Sequence, residues 1–83
     1  MDIVKTFCER MREELHDVIA YGELYEKLRA EGHHEEAEMI EEIARDEYTH
    51  AKAFCVQLRH HHHVMDDEMR ELWHRADAAF EED

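Results

Sequence analysis

The sequence predicts an all-α fold: an antiparallel helical hairpin followed by a C-terminal helix, with the hairpin dimerising into a four-helix bundle. Charged residues make up 40% of the 83 residues and hydrophobic ones 43%, with two glycines and no proline. This mixture suits long helices and offers almost no strand or turn chemistry. A chain of this length forms one domain, residues 1–83, whose thin core often needs a metal or a partner subunit.

The first helix is predicted at about residues 2–30, and Gly32 ends it because glycine readily adopts the left-handed conformation. Its apolar residues recur at intervals of three and four, which is typical of a helix that packs along one stripe. One member of this series, Glu14, is acidic. The series is Val4, Phe7, Met11, Glu14, Val18, Tyr21, Tyr25 and Leu28.

The second helix is predicted at about residues 34–60, and its series also contains one acidic member, Glu47. Each helix therefore carries a seam suited to helix–helix packing, with a single carboxylate in it. The seam of the second helix is Ala37, Ile40, Ala44, Glu47, Ala51, Phe54 and Leu58.

A third helix is predicted at about residues 66–81, capped by Asp66 or Asp67. Because no glycine or proline separates it from the second helix, one long bent helix is the alternative. Between the two lie His60 to His63, whose role the sequence leaves open. Cys8 and Cys55 form no CxxC pair and no metal-ligand cluster, so we expect both to be reduced thiols.

The short turn at Gly32 makes the first two helices antiparallel neighbours. The number of residues between a seam position and the turn therefore gives its level, that is, its distance from the turn along the hairpin. Glu14 lies eighteen residues before Gly32, and His50 lies eighteen residues after it. At about 1.5 Å per residue, both lie roughly 27 Å from the turn, and Glu47 is one helical turn nearer. The sequence therefore predicts that Glu14, Glu47 and His50 meet at one level of the hairpin.

Two carboxylates buried at one level are costly unless they are protonated or bind a cation. Glu-x-x-His occurs four times in the chain, but only the pair Glu47 and His50 lies on a seam with a carboxylate opposite it. Carboxylate and imidazole together suit iron, manganese or zinc. One hairpin offers too few ligands for two ions, whereas a twofold pair offers four glutamates and two histidines. The alternative is a polar layer that fixes the register of the bundle.

The stretch ELHDVIAYGELYEKLRAEG, together with IARDEYTHAKAF, resembles the first helix pair of the rubrerythrin and ferritin-like di-iron proteins. The matching pattern is Glu14, then Tyr21 seven residues on, then Glu47 with His50 and Ala51. The resemblance implies a ferritin-like four-helix bundle with Glu14, Glu47 and His50 as catalytic metal ligands. It implies that Tyr21 supports the cofactor by hydrogen bonding to a ligand carboxylate.

The half-bundle is similar to encapsulated ferritins, which build a di-iron site between subunits. This resemblance implies a ferroxidase that oxidises Fe(II) for iron storage or detoxification, in a homodimer or a larger even-numbered homo-oligomer. It also raises an encapsulin shell as a partner, although the C-terminal AAFEED does not resemble a shell-targeting tail. The alternatives are a peroxide-scavenging di-iron protein with an outside electron donor, and a non-catalytic acidic helical interaction dimer.

The charge excludes some partners and favours others. A net charge of −13 repels nucleic acid and anionic membrane surfaces, so we expect neither as a partner, but it attracts cations. His16 and Asp17 follow Glu14 and are candidates for a site at which incoming ions enter. No signal peptide or membrane-spanning run is recognisable, so a cytoplasmic location is expected, either free or inside a protein nanocompartment.

Overall fold

The computed structural model describes residues 1–80, which form three helices: α1 (Ile3–Ala30), α2 (His34–His60) and α3 (Asp67–Ala78). The predicted all-α class is confirmed. The second and third helices are separate, so the alternative of one long bent helix is wrong. The prediction that α3 reaches residue 81 extends beyond the described residues, and within them the helix ends at Ala78. No described helix is long and apolar enough to cross a membrane.

Aspartates begin α1 and α3. The side chain of Asp2 accepts a hydrogen bond from the backbone N–H of Lys5 at 3.0 Å. Asp66 does the same for Met69 at 2.8 Å. Each carboxylate satisfies a backbone donor that the helix itself cannot pair, which stabilises the first turn. Of the two caps that the sequence allowed for α3, the structure selects Asp66.

α1 and α2 end in the same way, through a residue in the left-handed conformation. At the end of α1 this residue is Gly32, with φ of 85°. At the end of α2 it is His62, with φ of 56°. A histidine adopts this conformation at a cost that glycine avoids. The chain therefore turns sharply after α2, although no glycine or proline in the sequence indicates a turn there.

α3 lies along one side of the hairpin and runs in the same direction as α1. Near its end, a Cβ built on Gly22 would lie 2.8 Å from the Cβ of Ala79, so only glycine allows this close approach. The rings of Tyr25 and Phe80 pack edge to face at the same end, 5.2 Å apart. The core that results draws on all three helices: Met11, Leu15, Val18, Ala51, Cys55, Leu58, Met69, Leu72 and Ala76.

The side of the hairpin opposite α3 has no described element packed on it, and we call it the open face. By helical spacing it carries the side chains that point away from Leu15 and Cys55, both of which face α3. Leu24 is 41% exposed and Met39 is 53% exposed. Six apolar or aromatic side chains line the open face: Ile3, Tyr21, Leu24, Leu28, Met39 and Ile43.

The buried stripe of α1 lies closer to α3 than the predicted seam does. Leu15 and Gly22, which the predicted series omits, are buried, whereas Tyr21 and Tyr25 are only half-buried. The reason is that α3 covers the flank of α1 that carries Leu15. The seam pattern anticipated the contact between α1 and α2, but not the contact with α3.

Leu15→Ala is expected to lower the free energy of unfolding by about 2–5 kcal/mol, because a fully buried leucine would be replaced by a cavity. Val64→Ala is the control, since Val64 is 77% exposed in the turn before α3. It should change the same quantity by less than about 0.5 kcal/mol. Urea denaturation followed by circular dichroism measures both. Equal effects of the two substitutions would contradict the described core.

Candidate metal centre

The structure brings Glu14, Glu47 and His50 together. One potential ligand atom from each lies within 4.8 Å of the others. Glu14 comes from α1, whereas Glu47 and His50 come from α2, where a spacing of three residues places both on one side of the helix. The meeting of the three side chains at one level agrees with the sequence-based count from the turn.

Glu14 is the buried member of the cluster, at 7% exposure. Its Oε1 lies 3.7 Å from a guanidinium nitrogen of Arg10, and its Oε2 lies 3.8 Å from Nδ1 of His50. Both distances exceed that of a hydrogen bond. Among the described residues, the buried Oε2 atom has no hydrogen-bond partner. A buried carboxylate oxygen without a donor or a cation is costly.

The carboxyl groups of Glu14 and Glu47 face each other, and this raises the pKa of Glu47. The largest cause is a hydrogen bond that a protonated Glu47 makes to Glu14; burial and the negative charge of Glu14 add to it. A positive charge on His50 and a hydrogen bond with Asp17 act in the opposite direction. When both glutamates are ionised, neither can donate a hydrogen bond to the other, and Oε2 of Glu14 then has no donor among the described residues.

The cluster opens towards the open face of the hairpin. Exposure increases from Glu14, which is buried, through Glu47, which is half-buried, to His50, whose side chain is 58% exposed. Three ligands fall short of the four to six that a first-row transition metal takes. The remaining positions of a bound ion would therefore be filled from the open face, by water or by another chain.

The other predicted site residues differ in their placement. Asp17 is exposed but reaches Glu47, so the cluster has a third carboxylate at its edge. His16 is exposed and lies two positions from Glu14, which directs it to another side of α1. Tyr21 is half-buried and makes no hydrogen bond among the described residues. The predicted support of a ligand by Tyr21 and the predicted ion-entrance role of His16 and Asp17 stay predictions.

The donor set fits a divalent transition metal. Two ligand atoms bound to one ion at about 2.0–2.2 Å lie at most about 4.4 Å apart, so small side-chain rotations would bring the three donors onto one ion. Such an ion would satisfy Oε2 of Glu14 and would relieve the repulsion between the two carboxylates. Manganese and zinc accept the same ligands as iron.

The raised pKa of Glu47 predicts how stability depends on pH in the metal-free protein. Between the ordinary value of 4.5 and the raised value, the folded chain binds more protons at Glu47 than the unfolded chain does. The contribution of Glu47 to stability therefore decreases as pH rises through this window. Denaturation in chelator at several pH values measures it. The difference between wild type and Glu47→Gln should change in this window, and a constant difference would contradict the shift.

Comparisons of the chain with models of protein families, with curated proteins and with solved structures find no match. The resemblance to ferritin-like proteins therefore rests on the residue pattern of α1 and α2.

Proposed function

We propose that this protein is a ferroxidase-type di-iron oxidoreductase, whose site forms where two copies of the hairpin meet. The observation that carries the proposal is the buried Oε2 of Glu14, which has no hydrogen-bond partner within residues 1–80 and belongs to a cluster with a second carboxylate and an imidazole. A polar layer that merely fixed the register of a bundle would be expected to pair its buried atoms. A cation bound between the two carboxylates would supply the partner that this oxygen lacks when both glutamates are ionised.

The second copy follows from where the cluster lies. The ligands open onto a face that also exposes Leu24 and Met39, and burial of such side chains favours association. A twofold axis through the open face would bring two clusters together and would double the ligand set to four glutamates and two histidines. This is the composition of a di-iron carboxylate site in a four-helix bundle.

Iron(II) is the substrate in this proposal. Two Fe(II) ions give one electron each to dioxygen, which takes up two protons and leaves as hydrogen peroxide, while the two ions leave as Fe(III). Glu47 bridges or chelates the ions, His50 is a terminal ligand, and Glu14 completes each set of ligands. Asp17 and the surrounding acidic residues attract Fe(II) to the site, because the chain carries a net charge of −13.

Fe(II) titration tests the proposal directly. Without oxygen, binding should saturate at two Fe(II) per pair of chains. On admission of air, the bound iron should oxidise faster than the same iron in protein-free buffer. Zn²⁺ added first should suppress this oxidation, because it takes the same ligands and has no redox chemistry. Oxidation at the protein-free rate would contradict the proposal.

A further inference from the structure

A cysteine and a histidine meet at the end of the molecule that lies away from the Gly32 turn. Sγ of Cys8, in the second turn of α1, lies 3.4 Å from Nε2 of His63, in the turn between α2 and α3. Both residues are half-buried, whereas His60, His61 and His62 are exposed. Of the four consecutive histidines, one turns inward, and it meets a thiol.

The backbone fixes the position of His63. Its N–H donates to the carbonyl of Leu58 at 3.0 Å, and the N–H of His62 donates to the carbonyl of Arg59 at 2.9 Å. These two bonds close the end of α2, with His62 in the left-handed conformation between them. Asp66, the cap of α3, holds the other end of the turn. His63 is therefore held on a short connection that is anchored at both ends.

The separation of the two atoms suits two ligands of one metal ion. Zinc–sulfur and zinc–nitrogen bonds of about 2.3 and 2.0–2.1 Å, at a tetrahedral angle, place the two donors about 3.5 Å apart. Asp66 and Asp2 lie close enough to Cys8 for their charges to raise the pKa of its thiol, after burial as the largest cause, whereas Arg12 lowers it. The carboxylate of Asp66 is occupied in capping α3, where it accepts from the N–H of Met69, so the protein donors at this point are Cys8 and His63.

We propose that Cys8 and His63 form a second metal site, which takes a thiophilic tetrahedral ion such as Zn²⁺ and is independent of the cluster of Glu14, Glu47 and His50. On binding, the thiol of Cys8 releases its proton to solvent and the thiolate bonds to the ion. His63 donates the lone pair of Nε2 and keeps its proton on Nδ1. The remaining positions are filled by water. The ion joins the start of α1 to the turn before α3, across 55 residues of sequence.

Cobalt(II) is the probe, because it replaces zinc and its bond to a thiolate gives an intense near-ultraviolet charge-transfer band. The cluster of Glu14, Glu47 and His50 contains no thiol, so it cannot produce this band. Titration of the reduced chain with Co²⁺ should give the band with the intensity of one thiolate-bound Co²⁺ per chain, and Zn²⁺ should remove it. Zn²⁺ should also raise the melting temperature of Glu47→Gln, which retains the Cys8 site.

The variants assign the band to its ligands. Cys8→Ser and His63→Gln should each reduce it at least tenfold, whereas Cys55→Ser and His61→Gln are matched controls that should retain it. Glu47→Gln should also retain the band, so the test of the Cys8 site is independent of the test of the proposed ferroxidase site. Helical circular dichroism checks that each variant is folded. The absence of a band in wild type, or its persistence in folded Cys8→Ser, would overturn the proposal.

Discussion

Glu47→Gln is expected to abolish iron oxidation while leaving the fold intact. The substitution keeps the size of the side chain but removes the charge that faces Glu14 in the cluster. Loss of a group that only orients a ligand costs about 10- to 100-fold in affinity or activity, and loss of the ligand itself should cost more. The rate constant for Fe(II) oxidation in air, measured from the absorbance of Fe(III), gives the result.

Glu42→Gln is the matched control for this substitution. Glu42 is exposed on the same helix, and its replacement changes the net charge by the same amount. It should oxidise iron at the wild-type rate, which separates a ligand role from a general loss of negative charge. If folded Glu47→Gln oxidises iron as fast as Glu42→Gln does, the proposed site is wrong.

Met39→Glu is expected to separate the two copies and to lose bound iron, although all three ligands of the cluster remain. Met39 is 53% exposed on the open face, and association through this face would bury a new, unpaired carboxylate in the interface. The dimer dissociation constant should rise by at least tenfold, and iron content at micromolar protein should fall with it. Analytical ultracentrifugation with metal analysis measures both quantities.

Val56→Glu is the matched control, because Val56 is 45% exposed on α2 but by helical spacing points away from the open face. It introduces the same charge on the same helix and should leave the dimer and its iron unchanged. If Met39→Glu and Val56→Glu have the same mass and iron content as wild type, the open face is not the interface that completes the site.

The sequence predicted the cluster because helices make counting reliable. A constant rise per residue and one glycine turn were enough to bring Glu14 level with His50. The position of α3 could not be derived in this way. It depends on a turn at His62 that no glycine marks, and on the close approach of Ala79 to Gly22. The burial of Leu15 is a consequence of that packing.

The pair of Cys8 and His63 shows a second limit of sequence reasoning. The two residues are 55 positions apart, and the histidine stands among three others of its kind. Helical periodicity would have placed His60 and His63 on one face, but α2 ends at His60 and His63 turns towards α1 instead. The only local signal was four histidines at a helix end, which does not indicate which of them turns inward.

The proposed function depends most directly on whether two chains share the metal ions. Native mass spectrometry combined with metal analysis, on protein made in iron-supplied cells, tests this in one measurement. We expect dimers, or multiples of dimers, with two metal ions per pair of chains at the site of Glu14, Glu47 and His50, in addition to any ion held by Cys8. A monomer without metal at that site would contradict the account and would favour a small helical interaction protein.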